Sequence, residues 1–220
     1  MDKDILARYN SVEGADDYLH KFERHWTERV NNWHEQRLIR RFLRLVSTVD
    51  PNGLALDLPC GYGRLYSIVR ELGIPVVESD WSFPLLTTAR KIHGRRYGLE
   101  TSPNYVRATA LALPFGAGTF EFVLSARLSH HIRDHEQRLQ HLREVLRVSR
   151  KWAMFTYFDA GSVKNQMHEF GRRFRGKRPK WTLTFEEVQS VGHAEGFQVV
   201  QWAWISRFFS GHRYVLMRRN

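Results

Sequence analysis

The stretch LALDLPCGYGRLY, from Leu54 to Tyr66, does most to limit the folds open to this chain. Leu54 to Leu58 is a short apolar run of the kind a buried strand needs, and it stops against Pro-Cys-Gly-Tyr-Gly. Arg64 to Leu72 then reads as helix, with Gly73 as its stop. Gly61 and Gly63 let the backbone turn sharply and approach a ligand with no Cβ in the way. The helix behind them opens with unpaired N–H groups. In a dinucleotide enzyme a third glycine would follow at position 66, where this chain has Tyr66. Asp57, four residues before Gly61, suits a ligand with a positively charged amino-acid end better than a pyrophosphate.

The rest of the chain continues the alternation. Val76 to Asp80 predicts a second strand and Phe83 to His93 a helix. Tyr105 to Ala108 is a weak third strand and Phe120 to Ser125 a stronger fourth. Asp134 is placed to cap a helix from His135 to Arg147, whose Leu139, Leu142 and Leu146 share a face. Trp152 to Phe158 is a fifth strand. Thr184 and Glu187 form a capping-box pattern for a helix closed by Gly196, and Phe197 to Ile205 and Arg213 to Met217 end the chain as strands. Strands alternating with helices predict an α/β fold, a doubly wound, mostly parallel seven-stranded sheet with an antiparallel edge strand. Helices precede it: an amphipathic one over His34 to Val46 and an aromatic-rich stretch from Tyr18 to Trp33.

At 220 residues the chain fits a single domain. We divide it into an N-terminal helical lid or appendage (1–50), a cofactor-binding core (51–160), and a substrate-side insertion with the final strands (161–220). One cysteine, Cys60, leaves no internal disulfide and no multi-cysteine metal site, and we expect no bound metal. No apolar run approaches the roughly 18 residues of a membrane span, and Met1 to Tyr18 lacks the apolar stretch of a secretion signal, so a cytoplasmic protein is expected. The net charge of +11 attracts anions of several kinds. Over half of it lies between Lys164 and Lys180, where Lys164, Arg172, Arg173, Arg175, Lys177, Arg178 and Lys180 face one acid, Glu169. That segment predicts either a solvated loop or an insertion that binds an anionic acceptor.

Four segments in order resemble class I S-adenosylmethionine-dependent methyltransferases, particularly the ubiquinone/menaquinone-type group. The first is the glycine turn: Asp57, Cys60, Gly61 and Gly63 match, and Pro59 replaces a common glycine. Asp80 falls where that family keeps an acid for the cofactor's ribose. ATALALPF, from Ala108 to Phe115, followed by GTFEFVLS, resembles the adenine-side turn and fourth strand. LREVLRVSRKWAMFTYFD resembles the next helix and strand. The chain departs at Thr109, where many relatives have an Asp, and at Ser149-Arg150-Lys151, which replaces Pro-Gly-Gly. The resemblance spans about Leu38 to Asp159 and implies a Rossmann-like fold with S-adenosylmethionine as cofactor. It implies cofactor contacts from Asp57, Pro59, Cys60, Gly61 and Gly63, from Asp80 and Trp81, and from Thr109, Ala110 and Ser125.

Ligands of an open α/β sheet sit past the carboxyl ends of its strands, which makes Arg127, Tyr157 and Asp159 candidates for the acceptor. Arg172, Arg173 and Arg175 join them, because a guanidinium captures phosphate or carboxylate through two hydrogen bonds. His131, with His130 as the alternative, is the candidate base. The favoured acceptor is a small or lipid-linked, anionic metabolite, with an acidic membrane surface as a candidate partner. The basic charge keeps RNA as the alternative acceptor, although no DPPY-like tetrapeptide follows the fourth strand. A non-catalytic cofactor-binding or partner-binding protein is the third reading.

Overall fold

In the computed structural model, residues 11, 13, 14, 26–47, 49–98, 104–175, 179–206 and 210–220 are described. The strand that ends in Asp57, β1 (Ala55–Asp57), lies in the sheet between β2 (Val76–Asp80) and β4 (Phe120–Ser125), parallel to both. β3 (Asn104–Arg107) pairs outside β2, and β5 (Ser149–Phe158) pairs beyond β4. β6 (Phe197–Trp204) and β7 (His212–Arg219) complete the order β3-β2-β1-β4-β5-β7-β6. β7 runs antiparallel to both neighbours, so the hairpin formed by the last two strands makes the antiparallel edge with β7 inserted next to β5. The direction in which successive strands are added reverses between β1 and β4. In open α/β sheets such a reversal marks where ligands bind, outside the carboxyl ends of the strands.

Both faces of the sheet are covered, which is why β1, β2 and β4 are buried along their whole length. Alternate residues of a strand feed opposite cores. Val123, Ala153, Phe155 and Val215 pack on one face with Leu142, Val145 and Leu146 of α4 (His135–Val148) and Val188 of α6 (Phe185–Ala194). Phe122, Leu124, Trp152, Met154 and Leu216 pack on the other with Ile39 and Phe42 of α1 (Trp26–Leu43) and Ile68 of α2 (Tyr66–Val69). A short 3-10 turn, Arg70–Leu72, continues α2 and ends at Gly73 with φ of 76°. α3 (Phe83–Tyr97) follows β2.

The caps anticipated from sequence are present. Asp134 accepts from Gln137 N, and Thr184 and Glu187 form the reciprocal box. Each such cap is worth about 1 kcal/mol.

The basic segment corrects one expectation. The sequence offered a solvated loop or an acceptor-binding insertion over Lys164 to Lys180 and no helix, whereas residues Val163–Arg175 form one, α5. It is anchored by Asn165, which is buried and whose side-chain N–H group donates to Asp159 O (2.8 Å) and Gly211 O (3.1 Å). Polar anchoring replaces the apolar face by which such a helix is normally recognised. Of the stretch Tyr18 to Trp33 expected to be helical, Trp26 to Trp33 belong to α1; residues 15–25 lie outside the described ones.

Candidate active site at the carboxyl ends of the strands

The turn after β1 is held open by its glycines and fixed by the acid at the end of β2. Gly61 and Gly63 have φ of 60° and 79°, backbone that an L side chain adopts only with strain. A Cβ on Gly63 would stand 2.2 Å from the His93 ring, so α3 packs directly against the turn. Gly61 N donates to Asp80 Oδ2 (2.9 Å), and Ser82 N donates to Oδ1 (2.8 Å). Burial pushes the Asp80 carboxyl up to about 6, against backbone N–H groups that lower it. An ionised carboxylate offers about four acceptor positions. Asp80 therefore keeps capacity for a ligand hydroxyl beside the turn it braces.

Asp57 is placed differently from a residue that lines a cleft. It is fully buried on the face of α1 and α2, opposite Glu78 in the register of β1 and β2. Neither of its carboxylate oxygens has a hydrogen-bond partner among the described residues. Burial first, and then the Glu78 carboxylate, hold its carboxyl well above the usual range. Glu78 is itself raised by burial, and His93 Nδ1 lies 3.1 Å from it and 2.9 Å from the Tyr105 hydroxyl. This acid–imidazole layer supports the glycine turn from beneath. Cys60 is buried and its thiol is pushed up by the same burial, so it packs rather than ionises.

The adenine-side candidates meet the turn from the neighbouring strand ends. Trp81, 40% exposed, lies under the Arg107 guanidinium (5.1 Å to the ring centre), and Arg107 Nε donates to its carbonyl (3.0 Å). Ala108 N donates to Asp80 O (3.1 Å), which places Thr109 and Ala110 just past Asp80. Thr109 Oγ1 accepts from Leu111 N (3.3 Å) and so closes its own turn. Ser125 is buried and turned to the His141 ring of α4 (2.9 Å). Pro59 follows Leu58, whose N–H donates to Leu124 O of the neighbouring strand β4 (2.9 Å).

Beside the candidate acceptor residue Arg127, sequence reasoning missed a hub. Glu35 of α1 is fully buried. It is paired with Arg64 (2.9 Å), just after the glycine turn, and with Arg127 (2.8 Å), just after β4. It also accepts from the Tyr214 hydroxyl of β7. Burial raises its carboxyl, but Arg64, Arg127 and Tyr214 overcome this and bring it down to about 2. Arg127, expected at the acceptor, is thus engaged with α1, and it holds a left-handed φ of 60°.

His130 and His131 lie on a 3-10 turn, Ser129–His131, with rings 4.0 Å apart and half-buried. The His130 ring packs on Phe158 (4.3 Å) and on His212 (4.8 Å) at the start of β7. Burial, aided by Arg127, holds the His212 imidazole at about 3, and so neutral at ordinary pH. His212 had no sequence signal, because only the β5–β7 pairing brings it opposite Phe158.

Tyr157 and Asp159 are both buried. Burial pushes the Tyr157 hydroxyl up. Asp159 accepts from Arg213 (2.8 Å) and Trp204 Nε1 (2.9 Å), and the Arg213 guanidinium is enclosed by Phe185, Trp202 and Trp204. Arg172 pairs with Glu169 on α5, and the side chains of Arg173 and Arg175 lie outside the described ones. Among the described residues, no group of three His, Cys, Asp or Glu is arranged to hold a metal ion.

Residues 56–153 match the family model described as a methyltransferase domain. The tRNA (carboxymethyluridine(34)-5-O)-methyltransferase of Saccharomyces cerevisiae is 27% identical over 172 residues, 72% of this chain and 55% of that protein. The demethylmenaquinone methyltransferase of Thermus thermophilus is 39% identical over 93 residues, 41% of each chain. The chain thus spans about half the length of these curated relatives. A crystal structure of magnesium protoporphyrin IX methyltransferase from Synechocystis with bound S-adenosylhomocysteine superposes with a TM-score of 0.82 at 16% identity, covering 100% of both chains. Residues 56–153, from β1 into β5, are thus similar to a methyltransferase domain, and the chain carries the Rossmann-like methyltransferase fold.

Proposed function

We propose that this protein transfers a methyl group from S-adenosylmethionine to a small or lipid-linked, anionic acceptor at the ends of β4, β5 and β7. The observation that carries this reading is the bond from Gly61 N to Asp80 Oδ2, which joins the glycine turn to the acid of the second strand. In this reading the backbone from Pro59 to Gly63 takes the methionine end, with Asp57 and Cys60 packed behind it. Asp80 takes the ribose, and Trp81, Thr109 and Ala110 border the adenine, with Ser125 closing the floor. When bound, S-adenosylmethionine supplies a methyl group on a positively charged sulfur, open to in-line attack.

His131, or His130 beside it, receives the acceptor's proton where there is one to lose. Phe158 and the neutral His212 ring keep that end dry, and Arg127, Tyr157 and Asp159 shape it through the partners they already hold. Arg172, Arg173 and Arg175 offer charge to an anionic acceptor. The Thermus relative supports a place near the ubiquinone/menaquinone-type enzymes. Calorimetric titration with S-adenosylhomocysteine tests the cofactor site. Asp80→Ala should weaken binding by about 1.5–3 kcal/mol, the scale of lost hydrogen bonds to a charged group. Undiminished affinity would remove the ribose assignment.

A second reading, an RNA acceptor, is favoured by the +11 charge and the yeast tRNA-modifying relative. RNA binding whose affinity falls steeply with salt, together with methyl transfer to RNA, would replace the metabolite reading.

A further inference from the structure

Two helices show apolar side chains to solvent on the border of the acceptor end. On α5, Met167 and Phe170 are 70% and 69% exposed and stand three residues apart, on one face of the helix. The helix is held to the domain by its polar side, through Asn165. On α1, Trp26, Val30 and Trp33 are 76%, 44% and 56% exposed at spacings of four and three, again one face. Glu35 of α1 accepts from the Tyr214 hydroxyl of β7, and Asn165 of α5 donates to Gly211 O, just before that strand, so both helices are anchored at the same end of the sheet. Apolar patches of this kind on a monomer mark a docking surface.

The charge around them selects the occupant. α5 carries Lys164, Arg172, Arg173 and Arg175 against Glu169 alone, and Lys177, Arg178 and Lys180 follow it. α1 carries Arg29, Arg37, Arg40 and Arg41 against Glu28 and Glu35. Glu35 is buried and neutralised by its own arginines. A helix with a basic polar side, an exposed Phe and Met, and a neighbouring helix with two exposed Trp has the composition of an element lying in the boundary of an anionic bilayer. Among the described residues no helix is long and apolar enough to cross a membrane, so the contact is with the surface.

We propose that α5, assisted by the Trp26–Val30–Trp33 stripe of α1, docks this protein on an anionic lipid surface with its acceptor end toward the bilayer. RNA is the competing occupant. It would use the same arginines and stack bases on Trp26, Trp33 or Phe170, but gain little from the aliphatic Met167 and Val30 that complete the two stripes.

Flotation with vesicles of phosphatidylcholine, with and without phosphatidylglycerol, tests this on the whole protein. Binding is expected to the anionic vesicles, weakening as salt rises, and should be near background with phosphatidylcholine alone. Met167→Ser with Phe170→Ser should lower vesicle affinity about tenfold. The same variant should keep its melting temperature and its affinity for S-adenosylhomocysteine, since both side chains lie on the surface. Trp26→Ser with Trp33→Ser should give a smaller loss. Wild-type protein that leaves anionic vesicles unbound overturns the proposal, as does full vesicle binding by the Met167/Phe170 variant. Binding to RNA alone, insensitive to those two substitutions, overturns it in favour of a nucleic-acid surface. Vesicle binding and cofactor binding are read separately, so failure of one leaves the other standing.

Discussion

The proposed cofactor end and the proposed acceptor end of this sheet are built by different means. At the cofactor end, a short stretch of chain and one acid fix the shape: Gly61, Gly63 and Asp80 are joined by a backbone hydrogen bond, and the neighbouring turns close on themselves. At the acceptor end, Glu35 of α1, Phe158 of β5, and His212 and Tyr214 of β7 meet Arg127, just past β4, and His130 of the 3-10 turn, segments far apart in sequence. A backbone-built site tolerates drift in surrounding side chains. A side-chain-built site is free to change its ligand, because each wall comes from a different segment.

The sharpest test of this contrast is kinetic. Once an acceptor is identified, His131→Ala and His130→Ala should be compared at saturating cofactor. The residue that acts as base should lower turnover by about 10²–10⁴-fold with cofactor affinity unchanged. Near-normal turnover in both variants would mean that alignment alone drives the transfer, and the acceptor end would then be a shaped wall without a base.

The next effect is one of stability, at the joint between the two ends. Glu35→Ala leaves the Arg64 and Arg127 guanidinium groups without their shared partner, and denaturant unfolding should show a loss of about 3–5 kcal/mol. The pH dependence has a definite sign. The folded pKa of Glu35, about 2, lies below its ordinary 4.5. Its contribution is therefore complete above about pH 4.5 and is lost as pH falls toward 2. Glu35→Gln should flatten the acid limb of the stability curve across that window. A curve that keeps the wild-type slope would show that α1 is held by its apolar contacts, with Ile39 and Phe42, and not by this hub.

The smallest effect is expected at Asp57. Its inaccessible oxygens and raised pKa favour the protonated carboxyl, which Asn reproduces in shape. Asp57→Asn should change both stability and S-adenosylhomocysteine affinity by less than about 1 kcal/mol. A larger loss of affinity would place an ionised Asp57 in direct contact with the cofactor's ammonium group, and the cofactor end would then depend on a buried charge as much as on its backbone.

By itself the sequence determined the strand–turn–helix around Gly61, the strands that follow it, and the caps at Asp134 and Thr184. Those signals are local: positive φ, a cap and an apolar run are each properties of a few neighbouring residues. It also placed Asp80 correctly beside the turn, because in a parallel sheet the ends of adjacent strands must meet. It did not show α5 as a helix, since the pattern points its apolar residues outward and a polar side chain, Asn165, holds it inward. Only the tertiary structure decided that Glu35 joins α1 to the glycine turn, that Arg127 is engaged in that joint, and that His212 stands beside His130. The physical reason is that these contacts depend on strand order and helix docking. An ion pair between residues far apart in sequence leaves no periodicity to read, and its strength comes from a desolvation that exists only once the chain has closed around it.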